Sequence, residues 1–85
     1  MRREPDFFGD QELTLVYVAR KLAEALRAEE ALTGAGFDYL AEPDTYKGGV
    51  VFQSERVGVF IYVAPADDSA AREALTRAGF RPQPT

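Results

Sequence analysis

Residues 30–37 read Glu-Ala-Leu-Thr-Gly-Ala-Gly-Phe and residues 73–80 read Glu-Ala-Leu-Thr-Arg-Ala-Gly-Phe, so the two stretches differ at one position of eight. An apolar run ending in Tyr-Val-Ala precedes each stretch, at residues 17–19 and 62–64. Each copy predicts the same unit, a strand followed by a helix that ends at a glycine. The repetition of this unit indicates an internal pseudo-twofold symmetry.

The composition limits the classes of function that the chain can serve. It has 85 residues, no cysteine, no histidine and a net charge of −4, with its ten Lys and Arg residues scattered along the chain. A chain of this length forms one domain. The missing cysteine and histidine remove thiolate chemistry, the commonest general base and the commonest transition-metal ligands. The negative charge disfavours nucleic acid as a partner, because phosphate binding needs clustered cations.

The sequence predicts a protein without a membrane anchor. No apolar run approaches the roughly 20 residues that span a bilayer, and the N-terminus lacks the apolar core of a signal peptide. We therefore expect a cytoplasmic protein with neither membrane nor nucleic acid as a partner. No catalytic constellation, cofactor motif or metal site can be recognised, so we expect a protein that is not an enzyme.

The first half of the chain predicts a strand, a helix and a second strand. The first strand covers residues 13–19 and the helix about residues 22–33, ending at Gly34 and Gly36. The second strand, residues 37–41, is expected to stop at Glu42 and Pro43. Five residues fall on one helical stripe and are the predicted buried face: Leu22, Ala25, Leu26, Leu32 and Thr33.

The second half predicts a loop at residues 44–49 and further strand structure after it. Residues 50–53 and 57–64 indicate either two strands around a turn at 54–56 or one bulged strand. Asp67 or Asp68 is expected to cap the second helix, which is a commoner role for adjacent carboxylates than a metal site. The helix should bury Ala71, Ala74, Leu75 and Ala78 and end at Gly79. The tail, residues 80–85, predicts at most a short edge strand because it holds two prolines.

Together these elements predict an α+β fold, the ferredoxin-like split βαβ sandwich, with two helices on one face of a four- to five-stranded antiparallel sheet. Residues 1–11 are expected to be a flexible arm, whose Phe7 and Phe8 either pack on the body or stay loose, and residues 12–85 to be the single domain. The two Tyr-Val-Ala segments would lie on the two central strands.

Both faces of the predicted sheet are apolar, although two helices can cover only one of them. Strict alternation places Leu15, Tyr17, Phe60 and Tyr62 on the face away from the helices. An exposed apolar patch of this kind marks an interaction site. We expect this face to be buried in a homo-oligomer, a dimer or a trimer, or to close over a ligand. The alternative is that the N-terminal arm folds across it.

Two segments resemble a known family. They are Ala-Glu-Ala-Leu-Arg-Ala-Glu at residues 23–29, running on to Ala-Gly-Phe at 35–37, and Val-Ala-Pro-Ala-Asp-Asp at 63–68, followed by Ala-Arg-Glu-Ala-Leu at 71–75. They are similar to small prokaryotic proteins described as signal-transducing, which have a ferredoxin-like fold like that of the PII regulators. The resemblance covers about residues 13–80 and implies a regulatory protein.

The same resemblance has two limits. Residues 25–29 are also similar to a related group of sulfur or selenium carriers, but those depend on a cysteine that this chain lacks. PII regulators have a long tyrosine-bearing loop between their second and third strands. Here a short segment stands in that place, with Tyr46, Lys47, Gly48 and Gly49 as a candidate loop for a protein partner.

Three charged residues are candidate ligand contacts. Glu29 lies between Leu22 and Thr33 on the helical wheel, so it is either a desolvated, ligand-sensing carboxylate or a rim residue that reaches solvent or an arginine. Arg20 and Lys21 precede the first helix and are candidates for binding an anion at its positive end. The sequence therefore predicts a non-enzymatic regulatory or protein-interaction module, with a sensor of an anionic small molecule as the alternative.

Overall fold

The computed structural model describes residues 1–47 and 55–83 and confirms an α+β fold with two helices and an antiparallel sheet. Within these residues the sheet has three strands, where four to five were predicted. The elements are β1 (Thr14–Ala19), α1 (Leu22–Gly34), β2 (Leu40–Lys47), β3 (Glu55–Val63) and α2 (Asp68–Arg77), with short 3-10 helices at Pro5–Phe8 and Pro65–Asp67. The strand order is β1-β3-β2, so β3 is central. Neither α1 nor α2, the α-helices of the described residues, is long and apolar enough to cross a bilayer.

The core lies between the sheet and both helices. Ala25, Ala28 and Leu32 of α1 form one buried cluster with residues of β1 and β3, and Ala71 and Leu75 of α2 belong to the same cluster. Both helices therefore pack on one face of the sheet. Small alanines at the helix contacts let the helices approach the sheet closely, while the two leucines fill the remaining space.

The two helix ends confirm what the repeated stretch predicts. Gly36 and Gly79 follow α1 and α2 with φ of 86° and 93°, values that favour glycine because it has no Cβ. The next residue of each copy donates its N–H back across the turn, from Phe37 to the carbonyl oxygen of Leu32 at 3.0 Å and from Phe80 to that of Leu75 at 2.9 Å. Both phenylalanines pack on the core. The repeat thus encodes one Schellman cap, used twice.

A β-bulge in β1 changes the facing that alternation predicts. Leu15 pairs with Tyr62 of β3, but Tyr17 pairs with Ile61, so Val16 is an extra residue between two rungs of the ladder. Tyr17 therefore shares the helix-covered face with Ile61. The prediction that Tyr17 lies on the open face with Leu15 was wrong, and Val18 lies there instead, opposite Phe60.

The second strand is longer than predicted and does not stop at Glu42 and Pro43. It runs on through Lys47 in register with β3, and Pro43 pairs with Val59. A proline fits here because β2 is an edge strand, so its missing N–H points away from the ladder. The predicted loop at residues 44–49 is thus strand as far as Lys47. Likewise β3 begins at Glu55, within the predicted turn, and the predicted strand at 50–53 lies outside the described residues.

The buried stripe of α1 also differs from the prediction. Ala25, Ala28 and Leu32 are buried, whereas Leu22 and Leu26 are 71% and 51% exposed. The sequence periodicity predicted burial of the two large leucines, but the side of the helix that contacts the sheet is the side with the alanines. In α2, Ala71 and Leu75 are buried as predicted, while Ala78 is exposed.

Candidate functional site

One face of the sheet carries apolar side chains that neither helix covers. In the first cross-strand row, Leu15 and Leu40 flank Tyr62. In the next, Val18 and Glu42 flank Phe60. We call the five apolar residues of these rows the open sheet face. Leu40 is buried among its neighbours, and the other four are partly exposed. Neighbouring side chains at this spacing make one continuous surface.

Tyr17, predicted to belong to that surface, lies beneath the helices. It is 8% exposed, its ring packs edge-on against Phe80 with centroids 5.4 Å apart, and its hydroxyl donates to Glu24 Oε1 at 2.5 Å. Burial, reinforced by the hydrogen bond to the Glu24 carboxylate, raises the pKa of Tyr17 to about 12. The residue therefore joins β1 to α1 and is a structural group.

A second surface is concave and lies along the C-terminal half of α1. It is an open groove of about 460 Å³, with Leu26 and Gly34 on its walls and polar groups from Glu29, Glu30, Thr33 and Tyr39. We call it the Glu29 groove. The side chain of Glu29 is 13% exposed. Glu29 thus has features of both sequence-based alternatives. Its carboxylate is largely buried, and it also lies at the rim of the helix and reaches an arginine.

The contacts of Glu29 are long. Its Oε1 accepts a hydrogen bond from the Tyr39 hydroxyl at 3.4 Å and lies 4.0 Å from Nη1 of Arg2, in the N-terminal arm. The Tyr39 hydroxyl also shares a hydrogen bond of 3.1 Å with Thr33. Burial raises the pKa of Tyr39; the hydrogen bond with Thr33 opposes the rise and the Glu29 charge adds to it. The groove therefore contains the Glu29 carboxylate, and the cation that pairs with it, Arg2, belongs to the N-terminal arm.

The structure does not bring the three charged candidates together. Arg20 and Lys21 are exposed at the N-terminus of α1. Glu29 is eight residues after Lys21, which places it about 12 Å further along the helix axis. Glu24 occupies the first turn between them and accepts the bond from Tyr17. Arg20 and Lys21 thus share no pocket with Glu29.

The candidate partner loop is described only in part. Tyr46 and Lys47 are the last residues of β2, so they extend the sheet edge, and Gly48 and Gly49 lie outside the described residues. Asp67 occupies the N-cap position of α2 without a side-chain cap bond, and Asp68 pairs with Arg72 at 2.6 Å. Over residues 1–47 and 55–83, no three acidic side chains are grouped as a metal site would require.

Sequence reasoning missed Val18 and Leu40 on the open sheet face, and Arg2 and Tyr39 beside Glu29. The bulge that turns Val18 outward has no signature in an apolar run. Tyr39 lay in a correctly proposed extended segment, but only the fold places it under the last turn of α1. No protein-family model, curated protein or solved structure matches this chain.

Proposed function

We propose that this protein is a non-enzymatic interaction module that assembles with further copies of itself through the open sheet face. The observation that carries the proposal is the pair of cross-strand rows in which Leu15, Tyr62 and Leu40 lie beside Val18 and Phe60, on the side that the helices leave uncovered. Two sheets that pack face to face bury such rows about 10 Å apart. A second copy offers a surface of the same shape and chemistry, as a twofold contact requires.

The partial exposure of these side chains supports the same conclusion. Phe60 and Tyr62 alternate with Ile61 and Val63, which are completely buried under the helices. The strand is thus apolar on both sides, a pattern typical of strands that are covered twice. Glu42, at the outer end of the second row, would place a charge at the rim of the contact, where interfaces are polar.

We further propose that the fold is the ferredoxin-like sandwich, as in the PII-like family that the sequence resembles. Its support is the tail, where the N–H of Gln83 donates to the carbonyl oxygen of Val16 at 2.7 Å. A strand at this position would lie beside β1 and complete the order tail-β1-β3-β2 with the connectivity of two βαβ units. The regulatory role of that family is the corresponding proposal for this chain.

Charge introduced at the open sheet face tests the proposed assembly. We expect Phe60→Glu to reduce the mass in solution to that of one chain, because a carboxylate in the contact would be desolvated without a partner. The matched control is Leu22→Glu, since Leu22 is 71% exposed on the far side of α1. Light scattering coupled to gel filtration reads the mass, and circular dichroism verifies folding. Equal masses for both folded variants would contradict the proposal.

A further inference from the structure

The N-terminal arm docks on the outer edge of the sheet. Residue 39 immediately precedes β2, and it pairs with the arm as a parallel strand would: its N–H donates to the carbonyl oxygen of Met1 at 3.1 Å, and its carbonyl accepts from the N–H of Arg3 at 2.8 Å. β2 is an edge strand, so the arm occupies a position where a sheet can accept another strand.

The arm's two arginines match two carboxylates at this edge. Arg3 Nε donates to Asp38 Oδ1 at 2.8 Å. Arg2 lies 4.0 Å from Glu29 in the groove, and its Nη2 donates to the carbonyl oxygen of Ala41 at 3.3 Å. Two features of this edge therefore favour its occupant. Its main-chain groups pair with an extended segment, and its carboxylates attract positive charge.

Pro5 explains why the arm pairs at one residue only. In a parallel ladder that continues from Tyr39, the carbonyl oxygen of Ala41 would accept from the N–H of arm residue 5. Proline has no N–H, and Pro5 instead begins a 3-10 helix that leads the chain away. The guanidinium of Arg2 takes the place of that missing donor at Ala41. The arm is thus a short occupant of an edge that a longer segment could use.

Three of the four side chains that hold the arm are also accessible. Those of Arg2 and Arg3 are 59% and 37% exposed, and that of Asp38 is 37% exposed. Ion pairs between side chains this exposed contribute little to stability. A segment with more main-chain bonds can displace the arm, although the arm competes at the high effective concentration of a tethered group.

We propose that this edge is a docking site for an extended, arginine-bearing segment of a partner protein, which the chain's own residues 1–3 occupy in its absence. The segment adds a strand beside Tyr39 and Ala41, and its arginines bind Glu29 and Asp38. Its residue at the place of Pro5 is not proline, so its N–H can donate to the carbonyl oxygen of Ala41, a bond that the arm cannot make. This site lies at the sheet edge and does not depend on assembly through the open sheet face.

Two synthetic peptides test the proposal. The first has the sequence of residues 1–8 with Pro5→Val, and the second also carries Arg2→Gln and Arg3→Gln. The target is the full chain with Arg2→Ala and Arg3→Ala, which weakens the competing arm, and titration calorimetry measures the affinity. We expect the first peptide to bind this target about 2- to 30-fold more tightly than the second, and more tightly than it binds the unaltered chain. Amide shifts in NMR spectra should concentrate at residues 38–41.

Adding Glu29→Gln and Asp38→Asn to the target should abolish the preference for the first peptide. Equal affinity for both peptides, no binding, or shifts at Phe60 and Tyr62 would overturn the proposal. Dimers of the unaltered chain that disappear with the arginine substitutions would also overturn it, because the occupant would then be the arm of a second copy. Binding to a target that also carries Phe60→Glu should be unchanged, which separates this site from the proposed assembly.

Discussion

Glu29 and Arg72 occupy the same position in the two copies of the repeat, and their surroundings differ. Arg72 donates from Nε to Asp68 Oδ1 at 2.6 Å, from Nη2 to the carbonyl oxygen of Leu15 at 3.1 Å, and from Nη1 to that of Gln83. Within residues 1–47 and 55–83, the contacts of Glu29 are the long ones to Tyr39 and Arg2. In the first copy, the position of Asp68 is taken by Ala25, which is buried in the core.

This difference separates a structural position, that of Arg72, from the position of Glu29, which we propose to bind a partner. Arg72 finds its acceptors within the domain and fastens α2 to β1 and to the tail. Glu29 pairs with Arg2 of the N-terminal arm and lies beside an open groove. The two positions share the same helix cap and equivalent core leucines. The different surroundings of Glu29 and Arg72 therefore come from the neighbouring side chains.

The largest effects should be equal in the two copies. Leu32 and Leu75 are both completely buried at equivalent positions. We expect Leu32→Ala and Leu75→Ala each to lower the free energy of unfolding by about 3 kcal/mol, through lost burial and the cavity that remains. Urea unfolding measures both. A large loss in one copy and a negligible loss in the other would show that the copies do not share one core.

Arg72 and Glu29 should then differ sharply. We expect Arg72→Met to cost about 2 kcal/mol, because it leaves two carbonyl groups and Asp68 without their donor, and Glu29→Gln to cost less than about 1 kcal/mol. Arg77→Met is the control, since Arg77 pairs with Glu73 on the exposed side of α2. Similar losses for Arg72→Met and Glu29→Gln, measured by urea unfolding, would remove the distinction between the two positions.

The bulge in β1 buries Tyr17, and this burial predicts that stability changes with pH. The pKa of Tyr17 is raised to about 12 from its usual 10, so folding favours the protonated hydroxyl. Its stabilising contribution is complete below pH 10 and is lost as the pH rises through 12. Tyr17→Phe should lack this decline, which amounts to about 3 kcal/mol at most. Parallel unfolding curves from pH 9 to 12 for the original chain and the variant would contradict the buried placement of Tyr17.

The smallest effects concern the glycines. Gly36→Ala and Gly79→Ala should each cost about 1 kcal/mol, because an L-residue is strained at their positive φ. Gly34 is the last residue of α1, and a Cβ added there meets open space. Gly34→Ala should therefore stabilise by up to about 1 kcal/mol. Thermal unfolding resolves these signs, and a stabilising effect of Gly36→Ala would exclude the shared cap.

The repeat made much of the architecture predictable. Helix ends depend on local chemistry, so Gly36 and Gly79 could be identified from the residues alone. The facing of Tyr17 could not, because it depends on a bulge that forms only when β1 pairs with β3.

The end of β2 was misjudged at Pro43, which is acceptable only on an edge strand, and strand order is a property of the whole fold. Glu29 was recognised from its place on the helix, but its partners Arg2 and Tyr39 come from segments that only tertiary structure brings beside it.

The central proposal, that the open sheet face is buried against another copy, is tested most directly by the mass of the unaltered chain. Sedimentation equilibrium over micromolar concentrations measures this mass without labels or substitutions. We expect at least twice the 9.4 kDa of one chain. A single species of 9.4 kDa at every concentration would contradict the proposal.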